Sequence, residues 1–210
     1  MRLFSDFPFT LSCLALLSAV ALWTSTHREN LRPHWMGRLG FAPRDIWLLR
    51  WDRVFTSAFV THGRSVFWGA FGMTLFVVGA AEKIAGTLQA FASFWICHIL
   101  TLGLIALFIA WPLHAFKIPF GTTLTVAEDV GPSAGYFGCL GLLVSRISGI
   151  WKFVAAFIIL AGLILYFFIP PSKGEPAITK QHADLAHILS FVSGFSLAAL
   201  GWFHLSSGGA

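Results

Sequence analysis

One serine stands at the start of a short apolar stretch, and one histidine lies inside another. In the segment EDVGPSAGYFG, residues 128–138, Ser133 follows a Gly-Pro step directly. His187 lies in the later segment HADLAHILSFVSGF, residues 182–195. A serine hydroxyl is a good nucleophile only when a base removes its proton, and histidine is the usual base near neutral pH. These residue types could therefore form a Ser-His pair that attacks a carbonyl carbon.

His187 also has an alternative interpretation as a structural residue, and the other histidines have less specific roles. A histidine in an apolar helix can simply bond a carbonyl or a serine and hold two helices together, and this structural role stays open for His187. His98 lies in an apolar run without a serine motif, so we expect it to pack or to face lipid headgroups. His62, His114 and His182 fall in predicted loops, where solvated histidines are ordinary, although His62 could line a cavity mouth.

The elements that must position these residues are apolar helices. Of the 210 residues, 57% are hydrophobic and only 11% are charged, whereas a soluble domain carries about 25% charged residues. A bilayer core needs about 20 apolar residues per helix. The sequence therefore predicts an all-α, multi-pass membrane protein, a single domain over residues 1–210, with six helices. They span approximately residues 9–25, 65–81, 91–111, 133–148, 150–169 and 184–203.

The fourth predicted helix is short. Residues 133–148 would extend about 24 Å, less than the bilayer core of about 30 Å. The loop before the helix must then dip inward, which is tolerated only inside protein or beside a water-filled cavity. We therefore expect Ser133 to lie below the membrane surface and close to water.

Small residues predict which helices touch. Gly131, Gly135 and Gly138 follow a helical spacing around Ser133, and His187, Ser190 and Gly194 do the same in the sixth segment. Such faces let two backbones approach closely. Packing of the fourth helix against the sixth would bring Ser133 and His187 together.

The charge pattern and the cysteines exclude other classes of function. Seven of the fourteen Lys and Arg residues lie between Arg28 and Arg64, as expected of a basic loop beside lipid headgroups rather than of a nucleic-acid site. The three cysteines lie in apolar runs without metal-ligand spacing. At the N-terminus, Arg2 and Ala19-Val20-Ala21 also resemble a signal peptide, but Asp6 and the long apolar stretch favour a retained helix.

Four motifs in this order resemble the rhomboid family of intramembrane serine proteases. Gly131-Pro132-Ser133-Ala134 resembles the family's GxSx nucleophile motif, and Ala186-His187, followed by Gly194, resembles its AHxxG-type sixth helix. Glu82-Lys83-Ile84-Ala85-Gly86 is similar to the ExxxG turn after the second helix. Trp51-Asp52-Arg53 is similar to the WR motif of the first loop, with Asp52 inserted.

The resemblance implies a six-helix rhomboid-like bundle with a Ser-His dyad. Ser133 would be the nucleophile and His187 the general base, with the Ser133 backbone N–H as an oxyanion donor. Gly131, Gly135, Gly138, Glu82, Gly86, Arg53 and Gly194 would have structural roles. No metal or organic cofactor is implied. The expected partners are transmembrane protein substrates or clients and the lipid bilayer, with no nucleic acid, in a multi-pass protein of a prokaryotic cytoplasmic membrane.

The sequence departs from the family at the second helix. Family members often carry an HxxxN pair there that stabilises the oxyanion, and an ungapped placement from Arg53 to Glu82 puts Val66 and Ala70 at those positions. His62 or Thr61 could partly substitute. The departure favours either a slow or specialised protease or a rhomboid-like pseudoprotease that binds membrane proteins without cleaving them. The distribution of Lys and Arg also favours an orientation opposite to the family's usual one.

Overall fold

The regular structure is helical throughout the described part of the chain. The computed structural model describes residues 6–171 and 176–203. Its helices are α1 (Pro8–Thr24), α2 (Pro33–Leu39), α3 (Arg44–Trp47), α4 (Asp52–Thr56), α5 (Ser65–Ala85), α6 (Thr87–Ala115), α7 (Pro119–Leu124), α8 (Ser133–Ser145), α9 (Trp151–Phe167) and α10 (Ala177–Ala199). The predicted all-α class is confirmed for these residues. Arg2, from the signal-peptide comparison, lies outside them.

The six predicted segments coincide with α1, α5, α6, α8, α9 and α10. The largest difference is at α10, which begins at Ala177 rather than at 184 and ends at Ala199 rather than at 203. Charged and polar residues at 180–184 masked its first turns in the sequence. Among the helices of residues 6–171 and 176–203, only α5 and α6, of 21 and 29 residues, are long and apolar enough to cross a membrane alone, while α1, α8 and α9 are apolar but shorter.

Two of the long helices contain a wider turn. Residues Thr74–Val78 of α5 and Ile105–Ala110 of α6 are π-helical. A π turn accommodates an extra residue in a helix without ending it. Each helix therefore continues through the turn with its two halves facing different neighbours.

Glycines bring α8 and α10 into direct backbone contact, as the small-residue faces predicted. A Cβ atom on Gly194 would lie 2.1 Å from the carbonyl oxygen of Gly138, and one on Gly141 would lie 2.4 Å from that of Phe191. On the other side of α8, a Cβ atom on Gly135 would lie 2.3 Å from the ring of Phe94 in α6. Side chains at these glycines would separate the helices.

Glu82 joins the end of α5 to the start of α1. Its buried carboxylate accepts hydrogen bonds from the backbone N–H groups of Phe9 and Thr10, at 2.9 and 2.8 Å, and from Thr10 Oγ1 at 2.7 Å. A carboxylate is favourable at a helix N-terminus because the first N–H groups have no helical acceptor. The following turn is made by Gly86, whose φ of +96° is rarely adopted by residues with a side chain.

The segment between α1 and α5 folds back on itself around Arg53. The Arg53 guanidinium lies 3.2 Å from Asp45 Oδ2, donates to the carbonyl oxygen of Gly37, and lies 4.0 Å from Glu128 Oε1. Because Glu128 precedes Ser133 by five residues, this contact connects the basic segment to the loop that leads into α8.

By contrast, α9 buries none of its residues in the protein. Phe157 and Leu165 are 72% and 69% exposed. Large exposed apolar patches mark surfaces that contact another apolar phase or a partner. The exposed surface of α9 is therefore expected to contact such a phase or partner rather than water.

Candidate active site

Ser133 and His187 line the same cavity. It has a volume of about 220 Å³ and lies between the start of α8, the first half of α10 and the N-terminal end of α5. The other residues that line it are Thr61, His62, Val66, Ala70, Asp129, Val130, Gly131, Pro132, Tyr136, Tyr166, Thr179, Lys180, Ala183 and Asp184. The structure thus brings together the two residues that the sequence singled out for chemistry.

Ser133 is the first residue of α8, and its preceding loop is held in a particular conformation. Gly131 has a φ of +142°, which favours glycine, and its N–H donates to the carbonyl of Ser57 at 2.8 Å. The first intrahelical acceptor, Pro132 C=O, is used by the N–H of Tyr136. The earlier N–H groups of the helix, including that of Ser133, have no intrahelical acceptor and carry the positive end of the helix dipole.

His187 is positioned by contacts on two sides. Its ring lies over that of Phe137, with centroids 4.6 Å apart and an interplanar angle of 34°. Nδ1 lies 3.8 Å from Asp184 Oδ1, and the His187 side chain is 20% exposed. One turn along α10, Ser190 Oγ donates to the carbonyl oxygen of Ala134. Over the described residues, no hydrogen bond joins Ser133 to His187, so the pair shares a cavity without direct bonding.

Asp129 is an acidic residue of this cavity that the sequence analysis missed. Its Oδ1 lies 3.7 Å from His62 Nε2 and accepts the Val130 N–H at 2.9 Å. Burial alone would raise the pKa of Asp129, but the hydrogen bond from His62 and the nearby His182 and His187 hold that pKa below its ordinary value. The position of Asp129, four residues before Ser133, was the signal in the sequence that could have found it.

A buried ion pair lies on the opposite wall. Lys180 Nζ lies 2.5 Å from Asp184 Oδ2, and both side chains are less than 10% exposed. Lys180 also donates to the carbonyl of Tyr166 at 2.9 Å, near the end of α9. Sequence reasoning missed this pair because it placed residues up to 183 in a loop, where a lysine needs no partner.

The wall formed by the start of α5 is apolar. Val66 and Ala70, at the positions where the rhomboid-like pattern would place an oxyanion-stabilising pair, both line the cavity. Two polar side chains of the preceding loop, Thr61 and His62, also line the cavity. His62 is therefore in the cavity, as the sequence analysis considered.

Three other histidines have positions that the structure defines. His98 packs inside the protein, which is one of the two roles expected of it: it is buried, and its Nε2 bonds the Val54 carbonyl at 2.8 Å. His182, expected in a solvated loop, is fully buried in α10, where Nδ1 bonds the Ala127 carbonyl at 3.2 Å. Early initiation of α10 explains this error, because it places residue 182 against the loop before α8. His114, also expected in a loop, instead lies in the last turn of α6, where it stacks on Trp47.

Comparison with known proteins adds no relative. The chain matches no protein-family model, no curated protein and no solved structure. Within the described ranges, no group of three or more His, Cys, Asp or Glu side chains is arranged to hold a metal ion. The chemistry open to the cavity therefore follows from its own residues.

Proposed function

We propose that this protein is an intramembrane serine endopeptidase with a rhomboid-like architecture. The observation that carries the proposal is the convergence of Ser133 and His187 on one cavity, with Ser133 at the N-terminus of α8. This placement combines a hydroxyl, a base and unpaired backbone N–H groups, which are the three components of acyl transfer.

A membrane location and six spans are part of the proposal. The uncovered apolar surface of α9 and the low content of charge support a lipid environment. The 13 residues of α8 extend about 20 Å, less than the bilayer core of about 30 Å. Ser133 would therefore lie below the surface, where a polar cavity can hold the water that hydrolysis needs.

The reaction has two acyl-transfer steps. Ser133 Oγ attacks the scissile carbonyl carbon of a transmembrane segment as His187 takes the hydroxyl proton. The tetrahedral intermediate breaks its C–N bond, and His187 returns the proton to the leaving amine, which gives an acyl-enzyme ester. Water then attacks the ester as His187 takes a proton from it, His187 transfers that proton to Ser133 Oγ, and the carboxylic acid product leaves.

The developing oxyanion would be stabilised mainly by backbone groups. The Ser133 N–H and the positive end of α8 supply one donor and a favourable field. His62, which lines the same cavity, is the side chain that we expect to add a second donor. Loss of one such donor costs about 10²–10³ in rate, so the apolar Val66 and Ala70 predict a slow enzyme.

Covalent labelling tests this proposal directly. The detergent-solubilised protein is incubated with a fluorophosphonate probe and separately with a transmembrane reporter substrate. We expect labelling and cleavage to disappear in Ser133→Ala, and cleavage to disappear in His187→Ala. Ser145→Ala is the matched control, because its hydroxyl lies on the same helix but bonds the Leu142 carbonyl away from the cavity. Cleavage that survives Ser133→Ala would contradict the proposal.

A second function is favoured by the apolar wall at Val66 and Ala70: a rhomboid-like pseudoprotease that binds transmembrane clients. Such a protein would capture transmembrane segments equally well with and without the Ser133→Ala substitution, and it would not react with the probe. Stoichiometric labelling of Ser133 argues against it, whereas crosslinking to clients without any labelling or cleavage supports it.

A further inference from the structure

Three charged or titratable side chains follow one face of α10. Lys180, Asp184 and His187 are separated by four and three residues, so they lie in a row along the helix. All three line the cavity that contains Ser133. The cavity therefore holds two ionisable side chains of α10, Lys180 and Asp184, that a Ser-His dyad does not require.

The two oxygens of Asp184 face different partners. Oδ2 lies 2.5 Å from Lys180 Nζ, and Oδ1 lies 3.8 Å from His187 Nδ1. Burying a lone carboxylate is costly unless it is paired, and here the ammonium of Lys180 offsets that cost. Asp184 can therefore stay beside His187 although its side chain is only 4% exposed.

Lys180 is itself held from the neighbouring helix. It donates to the Tyr166 carbonyl at 2.9 Å, and Nζ lies 4.4 Å from the centre of the Tyr166 ring. A cation is favourable beside the last carbonyls of a helix and over an aromatic face. These contacts fix the ammonium, and through it they fix the carboxylate of Asp184.

We propose that Asp184 is a positioning residue for His187, so that the catalytic group of this chain is a Ser-His-Asp arrangement rather than a dyad. This proposal rests on the proposed protease function. An acid that holds Nδ1–H fixes the tautomer in which Nε2 can accept the serine proton. The 3.8 Å separation exceeds a hydrogen bond, and such contacts often shorten only when substrate is bound.

A second carboxylate must be distinguished from Asp184. Asp129 lines the same cavity, but its Oδ1 accepts the Val130 N–H and lies near His62. Asp129 thus has partners on its own loop and at His62, whereas Asp184 lies on the same helix face as His187. This difference leaves Asp184 as the carboxylate whose free oxygen faces His187 Nδ1.

The experiment measures kcat and KM for cleavage of a transmembrane reporter by Asp184→Asn and by the double variant Lys180→Met/Asp184→Asn. The double variant removes both charges, so it does not leave a buried lysine unpaired and remains informative if the single variant fails to fold. We expect kcat to fall at least about tenfold in both with little change in KM, against about 10⁴-fold for the same change in a fully bonded triad. Fluorophosphonate labelling should slow in parallel.

The outcomes separate this proposal from the protease assignment. If Ser133→Ala and His187→Ala leave cleavage intact, the protease function itself fails. If those two variants are inactive while the folded double variant keeps the wild-type kcat, the positioning role of Asp184 is overturned.

Discussion

The contact between α8 and α10 and the surface of α9 are opposite extremes of packing in this molecule. Across the first, Gly138 and Gly194 approach so closely that no Cβ atom fits between them. Along the second, a Cβ atom on Gly162 would meet nothing within 4 Å, and no residue of α9 is buried. The tightest backbone packing thus lies between the two helices that carry Ser133 and His187, so their relative position is closely constrained.

The largest effect is expected from a side chain placed in that contact. Gly194→Val would force α8 and α10 apart, because even a Cβ would lie 2.1 Å from a backbone oxygen that cannot rotate away. We expect destabilisation by about 3 kcal/mol or more and loss of probe labelling. Thermal unfolding in detergent measures the first effect. Gly162→Ala in α9 is the control and should change stability little.

Removing Glu82 should have the next largest effect. Glu82→Ala leaves two backbone N–H groups and one hydroxyl at the start of α1 without their acceptor, and each orphaned buried group costs about 1–3 kcal/mol. Because Glu82 does not line the cavity of Ser133 and His187, probe labelling of the folded fraction should survive. Loss of labelling in a fully folded Glu82→Ala protein would show that α1 also sets the site.

Acid should weaken the loop that leads into α8. The pKa of Asp129 is lowered in the folded protein, so its stabilising contribution is present above the unfolded value of about 3.9 and is lost as pH falls through the lower folded value. We expect stability to decline with acidification below about pH 4, and to decline less in Asp129→Asn. Unfolding temperatures measured from about pH 3 to about pH 7 compare the two across that window. Parallel curves would contradict this role.

The smallest effect is expected on α9. Phe157→Ala removes a ring that is 72% exposed and buried against no other helix, so stability should change by less than about 0.5 kcal/mol. Phe94→Ala, which removes a fully buried ring beside Gly135, should cost about 3–5 kcal/mol. Similar losses for the two variants would mean that α9 packs more tightly than its exposure indicates.

The sequence predicted the helices better than it predicted the cavity. Apolar runs and glycine spacing depend on local pattern, and they located all six long or apolar helices and the approach of α8 to α10. Asp129, Lys180 and Asp184 were missed because their role depends on which loop and helix face each other. The short helices α2, α3, α4 and α7 were also missed, since their hydrogen bonds depend on tertiary contacts such as that of Arg53 with Asp45.

The π turn of α5 has a geometric consequence for the cavity. A residue added to a helix rotates everything beyond it by about 100°, so Thr74–Val78 sets the angular offset between the two ends of α5. One end presents Val66 and Ala70 to the cavity that Ser133 lines, and the other presents Glu82 to α1. One continuous helix can therefore meet two geometric demands at once, because the wider turn brings Glu82 to the start of α1 while Val66 and Ala70 still face the cavity.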